Sequence, residues 1–284
     1  MNRKVAVVTG ANSGMGLATS VAIANQGIHV IMLCRNEERG KEALEKAEQQ
    51  LTKGSVELQL CDLASFDDIR LYAKQFIESE QQLDMFVANA GVVSTKRQET
   101  ADGYESMLGV NHLGHFLLIQ LLLGKIKESP NGRIVIVSSG AHKWGKLDFD
   151  NLQLHSGFNV MKGYGQSKLA NILFARKLAK ELLGTNVTVN ALHPGAVATN
   201  LGVNRETGFG KAIHRVLKPF FLSPEQGSKT AVYLATSSEL DGVTGKYFVK
   251  EQQAPISKRA ADDELAQKLW NWSMEETGLT KVKG

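Results

Sequence analysis

A tyrosine and a lysine lie four residues apart in the stretch GYGQSKLAN, as Tyr164 and Lys168. On a helix this spacing puts both side chains on one face, about one turn apart. The pair could be an ordinary packing contact, which is the commoner meaning of the spacing. It could also move a proton, because a nearby cation favours the phenolate and lowers a tyrosine pKa from its free value of about 10. The rest of the chain decides between these interpretations.

A glycine-rich turn, TGANSGMG, follows the first predicted strand and opens the first predicted helix. Gly10 permits a tight turn, Gly14 lets the backbone approach a pyrophosphate, and Gly16 lets the helix pack closely on the sheet. The helix N-terminus then faces the phosphates with its positive end. This position between strand and helix indicates a dinucleotide site. The spacing is G-x-x-x-G-x-G rather than the general G-x-G-x-x-G.

Short β-branched runs alternate with longer amphipathic stretches along the chain. Strands are predicted at KVAVVTG, HVIMLCR, VELQLCDL, LDMFVANAG, GRIVIVSS, VTVNALHPG and GKYFV, and Ser65 is expected to cap the helix that follows the third. Strict alternation, with strands apolar on both faces, indicates a parallel sheet covered by helices on both sides. We predict an α/β fold with one Rossmann-type, doubly wound sheet of about seven strands, in a single domain over residues 1–284.

Bulk composition excludes several classes of protein. The 284 residues are 43 % hydrophobic and carry a formal net charge of +4, without a Lys/Arg run that would favour nucleic acid. Cys34 and Cys61 form no disulfide framework, so a reducing compartment is expected. The first apolar run leaves no room for a signal peptide, and FLLIQLLLG is too short to span a membrane and suits a buried helix. These features predict a soluble, cytoplasmic protein.

The order of the motifs resembles the classical short-chain dehydrogenase/reductase family. After TGANSGMG come CDL, ANAG, VNHLGHF, IVIVSSG, YGQSK and HPGAVATNL, each on the element where the family has its counterpart. One departure is Ala88, which stands where the family has the first Asn of N-N-A-G. The stretches NHLGHFLL, GKYF and LWNWS are similar to the branch that contains the retinol dehydrogenases. Plant protochlorophyllide reductases share the first stretch and are a more distant likeness.

The resemblance implies a catalytic set of four residues: Asn111, Ser139, Tyr164 and Lys168. Tyr164 would be the general acid/base, while Lys168 would lower its pKa and bind the nicotinamide ribose. Ser139 would hold the substrate oxygen; it is preferred to Ser138 because the family places its catalytic serine second in the pair. Asn111, in a distorted helix, would link Lys168 to solvent through a bound water.

The resemblance also implies a nicotinamide-dinucleotide site. The predicted cofactor-binding residues are Gly10, Asn12, Ser13, Gly14, Met15, Gly16, Arg35, Asn36, Asp62, Leu63, Asn89, Ala90, Gly91, Tyr164, Lys168, Pro194, Gly195, Val197 and Thr199. No metal is expected, because the chemistry needs none and His142, His155 and His193 lack ligand spacing.

The end of the second strand predicts the choice of cofactor. NAD enzymes of this fold usually carry an acidic residue there, which binds the ribose 2′-OH. Cys34 stands at that place and Arg35 follows. A carboxylate would repel a 2′-phosphate, whereas a guanidinium can pair with it in a fork. NADP(H) is therefore the predicted cofactor.

Two segments are expected to shape the substrate end. Ser139 and Tyr164 are 25 positions apart, which is wider than in the shorter members of the family. Residues 140–163 would form an insertion loop over the mouth of the site, as in relatives of the retinol dehydrogenases. Residues 201–224 carry both apolar and basic side chains. They could form an apolar lid over a lipophilic substrate, a helix on a membrane surface, or a plain packed helix.

The leading hypothesis is an NADP(H)-dependent oxidoreductase that interconverts a carbonyl and an alcohol on a small lipophilic substrate. The alternative is an NADP(H)-sensing binding protein without turnover; such proteins usually lose the Tyr or the Lys, and both are present here. An epimerase or dehydratase ranks last, because the first turn has the wrong spacing.

Many relatives of the retinol dehydrogenases carry an N-terminal apolar anchor, which this sequence lacks. A retinoid substrate and a membrane location are therefore expected less strongly for this chain than for those relatives. A homodimer through the long helices is expected, although the insertion could block that surface.

Overall fold

A single eight-stranded sheet organises this computed structural model, which describes residues 3–195 and 222–279. The strands are β1 Val5–Thr9, β2 His29–Cys34, β3 Ser55–Leu60, β4 Met85–Ala88, β5 Gly132–Val137, β6 Val187–His193, β7 Tyr247–Val249 and β8 Gln252–Gln253. Their order is β3-β2-β1-β4-β5-β6-β7-β8, and only the β7–β8 pair is antiparallel. The predicted doubly wound sheet is confirmed. The eighth strand was not predicted, because its two residues, Gln252 and Gln253, are too few to show the alternation of apolar residues that indicates a strand.

Helices cover both faces of this sheet. They are α1 Gly14–Ala24, α2 Glu37–Glu48, α3 Phe66–Glu78, α4 Ser106–Glu128, α5 Val160–Glu181, α6 Pro224–Thr236 and α7 Asp263–Glu276. Alternate residues of β1 point into two separate cores: Val5 and Val7 pack under α3, α4, α5 and α7, whereas Ala6 and Val8 pack under α1, α2 and α6. Burial on both faces explains why the strands read as continuous apolar runs.

Several helices begin at a side-chain cap of a residue type that favours this position. The Ser65 hydroxyl accepts a hydrogen bond from the Asp68 N–H at 3.3 Å, which confirms the predicted cap of α3. Asn159 caps α5 in the same way, through the Lys162 N–H at 2.9 Å. That cap lies at the start of α5, five residues before Tyr164.

The most apolar stretch of the sequence lies in α4. Phe116 and Ile119 within it are fully buried. Among the described residues, α4 is the one helix long and apolar enough to cross a membrane, and 78 % of its apolar window is buried inside the fold. The prediction of a buried helix for this run is confirmed. One turn of α4, Gly109–Gly114, is π-helical rather than α-helical.

Candidate active site

A cleft of about 410 Å³ lies beside the carboxyl ends of β1, β2, β4 and β5. The order of the sheet reverses between β1 and β4, which is where ligands bind in open α/β sheets. Fourteen of the predicted cofactor residues line this cleft: Gly10, Asn12, Ser13, Gly14, Met15, Gly16, Arg35, Leu63, Asn89, Ala90, Gly91, Tyr164, Lys168 and Pro194. Asn36, Asp62 and Gly195 do not line it. Val197, Thr199 and residues 201–221 of the expected lid lie outside the described residues.

The glycine-rich turn packs directly against the end of β4. Gly10 has a φ of +65°, and a Cβ there would lie 2.8 Å from the Ala90 Cα. A Cβ on Gly16 would lie 2.2 Å from the Gly10 carbonyl oxygen, so this contact tolerates only glycine. Ser13 precedes α1 and its side chain accepts no capping hydrogen bond from a described residue. The first amide groups of α1 are thus open to the cleft, and this arrangement fits a pyrophosphate.

Thr9 organises the end of β4, and sequence reasoning missed it. Its hydroxyl oxygen accepts from the N–H groups of Asn89 and Ala90, both at 2.9 Å. The Asn89 side chain donates in return to the Thr9 carbonyl at 2.7 Å. The available signal was a hydroxyl-bearing residue immediately before the first glycine of the turn.

The far end of the cleft carries two guanidinium groups. Arg35 and Arg39 both line it, both are exposed, and neither forms an ion pair with a described residue. Arg39 was missed, although it follows Arg35 by four residues in a predicted helix. Cys34 is buried at 1 % exposure, and burial raises its thiol pKa to about 11. The position that would carry an acidic residue is therefore neutral.

Two residues near this end that were predicted to bind the cofactor form local hydrogen bonds instead. The Asn36 side chain accepts from the Arg39 N–H at 2.9 Å and so caps α2. The Asp62 carboxylate accepts from the Ala64 N–H at 2.9 Å and shapes the turn after β3. The cleft is lined instead by the neighbours of Asp62, which are Cys61 and Leu63.

Tyr164 and Lys168 lie together at the other end of the cleft. The Lys168 Nζ is 5.6 Å from the centroid of the Tyr164 ring and donates to the Val137 carbonyl at 3.2 Å. Burial lowers the pKa of Lys168 to about 8. Burial also raises the pKa of Tyr164, and a hydrogen bond with the Ser139 side chain lowers it only in part. This direction is opposite to the one expected from the sequence, because burial outweighs the other contributions of the protein groups.

The two adjacent serines have different partners. The Ser138 hydroxyl donates to the Lys168 carbonyl at 2.7 Å and anchors α5 to β5. The Ser139 hydroxyl accepts from the Ala141 N–H at 3.2 Å, and the Ser139 side chain lowers the pKa of Tyr164 in part. Ser138 lines the cleft, whereas Ser139 is the serine that affects the pKa of Tyr164, so the choice of Ser139 stays a prediction.

Asn111 lies in the π-helical turn of α4 and is fully buried. Its side chain binds both backbone groups of Val92: Oδ1 accepts from the N–H at 2.7 Å, and Nδ2 donates to the carbonyl at 3.1 Å. Nδ2 also donates to the Ser167 hydroxyl at 3.0 Å. The expected distorted helix is present, and Asn111 joins it to the loop after β4 and to α5.

The segment 140–163 is firmly packed rather than loose. It opens with a 3₁₀ turn, Gly140–Lys143, and buries Leu152 and Leu154. The Gln166 side chain donates to the Leu152 carbonyl at 2.7 Å and fixes the segment to α5. Trp144 remains 50 % exposed, with its Nε1 donating to the carbonyl of Met161 at 3.3 Å. The Trp144 ring lies against Gly165, the residue after Tyr164, where an added Cβ would be 2.7 Å from its Cδ1.

The histidines flagged in the sequence have local roles. His142 Nδ1 donates to the Ser139 carbonyl at 2.7 Å, and His193 Nδ1 accepts from the Gly195 N–H at 3.3 Å. His155 is exposed. Within residues 3–195 and 222–279, no three His, Cys, Asp or Glu side chains are grouped to hold a metal ion.

Comparisons with known proteins agree with this arrangement. A family model described as short chain dehydrogenase matches residues 4–208. Retinol dehydrogenase 14 of Mus musculus is 41 % identical over 293 residues, covering 99 % of this chain and 88 % of that protein. Retinol dehydrogenase 13 of Homo sapiens is 41 % identical over 283 residues, covering 97 % and 85 %.

Solved structures share the fold. An uncharacterised protein from Mycobacterium paratuberculosis superposes with a TM-score of 0.77 at 29 % identity, covering 97 % of this chain and 93 % of that one. A variant of actinorhodin polyketide ketoreductase, crystallised with NADPH, gives a TM-score of 0.69 at 25 % identity, covering 87 % and 95 %.

Proposed function

This chain belongs to the short-chain dehydrogenase family of oxidoreductases, and from that premise we propose that it interconverts a carbonyl and an alcohol on a lipophilic substrate with NADP(H). The observation that carries the proposal is the grouping of Asn111, Ser139, Tyr164 and Lys168 beside a cleft whose opposite end holds two guanidinium groups. The proposed proton donor, Tyr164, and the glycine-rich turn that would bind the dinucleotide then line the same cleft. This combination suits carbonyl reduction.

The nicotinamide cofactor, when bound, supplies the hydride. Tyr164 donates the proton that the new alkoxide needs, and Ser139 holds the substrate oxygen beside the Tyr164 hydroxyl. Lys168, buried but with a pKa still at about 8, keeps a cation within 5.6 Å of the ring centroid at neutral pH. That charge favours the phenolate left after proton transfer. Asn111 holds Val92 and Ser167, and so fixes the wall next to Lys168.

The raised pKa of Tyr164 is consistent with proton donation. A buried phenol that keeps its proton is ready to act as an acid in the direction of reduction. In the direction of oxidation, the positive charge of the oxidised nicotinamide would favour the phenolate and add to the effect of Lys168. The same residue can therefore serve both directions.

NADP(H) is favoured over NAD(H) by the charges at the adenosine end. Arg35 and Arg39 offer two guanidinium groups to a 2′-phosphate, and the neutral, buried Cys34 offers no competing carboxylate. One charge-assisted contact contributes about 1.5–3 kcal/mol, which corresponds to a preference of roughly ten- to a hundredfold. Arg39 strengthens the selection predicted from Arg35 alone.

A lipophilic substrate is supported by the surroundings of the proton donor. Val92 and Val93 line the cleft, the exposed Met161 lies in the first turn of α5, three residues before Tyr164, and the exposed Trp144 donates to its carbonyl. Several relatives carry the name retinol dehydrogenase, which is consistent with an apolar alcohol or aldehyde. A homodimer, contact with a membrane and a cytoplasmic location remain predictions, as does the single-domain assignment.

The test is turnover of a panel of aromatic, aliphatic and retinoid aldehydes with NADPH, compared with the Tyr164→Phe variant. We expect cofactor oxidation with at least one lipophilic aldehyde and its loss in the variant. NADPH binding without turnover across the whole panel would favour the non-catalytic alternative.

A further inference from the structure

His115 lies on α4 directly after the π-helical turn that carries Asn111, and it is 2 % exposed. Its two ring nitrogens contact two different parts of the site. Nδ1 is 3.2 Å from the Asn111 carbonyl oxygen, and Nε2 is 2.8 Å from the Thr9 hydroxyl oxygen. The ring thus bridges the cofactor-binding turn and the helix of the proposed proton machinery.

The protonation of this histidine follows from its partners. Nδ1 faces a carbonyl, which can only accept, so Nδ1 carries the proton. Burial lowers the pKa of His115 to about 4, so the ring is neutral at physiological pH and Nε2 keeps its lone pair. The Thr9 hydroxyl therefore donates to Nε2, and its oxygen accepts the amides of Asn89 and Ala90. The Val87 carbonyl is a second, more distant acceptor for the same hydroxyl proton, at 3.4 Å.

These contacts hold one wall of the cleft, residues 89–92. Thr9 binds the first two amides of this wall, and the Asn111 side chain binds both backbone groups of Val92. Between these anchors lies Gly91, where an added Cβ would be 3.7 Å from the Lys168 Nζ and 3.4 Å from the Asn111 Oδ1. The distance between the wall and Lys168 therefore depends on where Thr9 and Asn111 are held.

We infer that His115 is a positioning residue, which links the two anchors Thr9 and Asn111 and thereby fixes the wall of residues 89–92 relative to Lys168. The inference rests on the proposed function only in that the cleft binds a nicotinamide cofactor. A phenylalanine at position 115 would occupy a similar volume and supply neither hydrogen bond. The Asn111 carbonyl would then lose a partner, and the Thr9 hydroxyl would keep only the distant Val87 carbonyl, at 3.4 Å, as an acceptor.

The first experiment compares His115→Phe with the unaltered protein, without substrate. We expect faster amide hydrogen exchange in the peptide that covers residues 89–92. We also expect the Kd for NADPH, measured by the fluorescence of the reduced nicotinamide, to rise about tenfold, as expected for the loss of one or two hydrogen bonds. Exchange and affinity both within twofold of the unaltered protein would overturn the inference.

His112→Phe is the matched control. His112 is a buried histidine on the same helix, 1 % exposed, but its Nε2 contacts the Ser273 hydroxyl at 2.9 Å on α7. Its replacement should lower the Tm and leave the affinity for NADPH and the exchange at residues 89–92 unchanged. If this control weakens NADPH binding as much as His115→Phe, the effect belongs to any buried histidine and the inference is wrong.

A double-mutant cycle tests whether His115 acts through Thr9. Thr9→Val removes the hydroxyl with little change in volume, and we expect its effect on the NADPH Kd to be shared rather than additive with that of His115→Phe. Full additivity would contradict the link. If His115→Phe fails to fold, His115→Asn serves instead, since its amide can reach the Asn111 carbonyl but not Thr9. These binding measurements need no turnover, so they separate this inference from a failure of the proposed reaction.

Discussion

The Ser138 hydroxyl donates a 2.7 Å hydrogen bond to the carbonyl oxygen of Lys168, joining the end of β5 to the middle of α5. The Lys168 side chain returns to the same strand through the Val137 carbonyl at 3.2 Å. Lys168 is therefore held to β5 by both its main chain and its side chain. This double attachment holds its ammonium beside the Tyr164 ring, and it engages the hydroxyl of Ser138 with α5 rather than with the proposed substrate.

The two serines should separate stability from activity. Ser139→Ala is expected to lower kcat/KM by about a hundredfold or more, since it removes a group from the reacting centre. Ser138→Ala is expected to lower the free energy of unfolding by about 1 kcal/mol, the usual contribution of one hydrogen bond, with a smaller effect on kcat/KM. Urea unfolding and steady-state kinetics measure the two effects. A larger loss of kcat/KM in Ser138→Ala than in Ser139→Ala would show that Ser138, not Ser139, holds the substrate oxygen.

Replacement of the proposed acid should affect chemistry and spare binding. Tyr164→Phe is expected to lower kcat by about 10²–10⁴-fold, because proton transfer loses its donor. The Kd for NADPH should change little. Tyr233→Phe is the matched control, since the Tyr233 hydroxyl lies on α6 and pairs with Glu239. Normal turnover in Tyr164→Phe would remove this residue from the mechanism.

The guanidinium pair should select the cofactor. Arg35→Ala and Arg39→Ala are each expected to reduce the preference for NADPH over NADH by roughly ten- to a hundredfold, through loss of a charge-assisted contact. The ratio of kcat/KM for the two cofactors measures the change. Arg3→Ala, an exposed arginine before the amino end of β1, is the control. An unaltered ratio in the double Arg35/Arg39 variant would show that the selection lies elsewhere.

The reduction should slow in alkaline solution. Burial lowers the pKa of Lys168 to about 8, so the ammonium is charged below that pH and is lost above it. We expect kcat/KM for aldehyde reduction to fall as pH rises through about 8. Lys168→Arg retains a charge that does not titrate in this range and should move the fall to higher pH. An identical pH profile in the variant would assign the titration to another group.

The fold should lose stability in mild acid. Burial lowers the pKa of His112 to about 3 and of His115 to about 4, from 6.5, so the unfolded chain binds more protons between about pH 6.5 and 4. The contribution of the two neutral histidines to the free energy of unfolding is complete above pH 6.5 and is lost as the pH falls through this window. Each histidine should reduce the free energy of unfolding by about 2 kcal/mol between pH 7.5 and 5.

Chemical denaturation at the two pH values measures this loss. His112→Phe should reduce the difference between them, because one of the two histidines no longer titrates. His155→Ala, at an exposed position, should leave it unchanged. A difference that persists in full in His112→Phe would contradict the assignment.

The order of helices and strands and the glycine-rich turn after β1 could be predicted from the amino-acid sequence. They follow from local signals, such as the apolar strands, the glycines of TGANSGMG, and the four-residue spacing of Tyr164 and Lys168. Local patterns persist in the folded chain because each element forms from its own residues. The resemblance of the motifs then assigned roles to side chains on separate elements.

Contacts between groups that are far apart in the chain could not be predicted and come from the folded structure. It turned Ser138 toward Lys168, brought Arg39 to the cleft beside Arg35, and kept Asp62 out of it. It also reversed the expected direction of the Tyr164 pKa, because the burial of a phenol depends on everything packed around it. The link from His115 to Thr9 spans 106 positions of the chain. No spacing rule predicts such a contact, since it exists only when the sheet brings β1 beside α4.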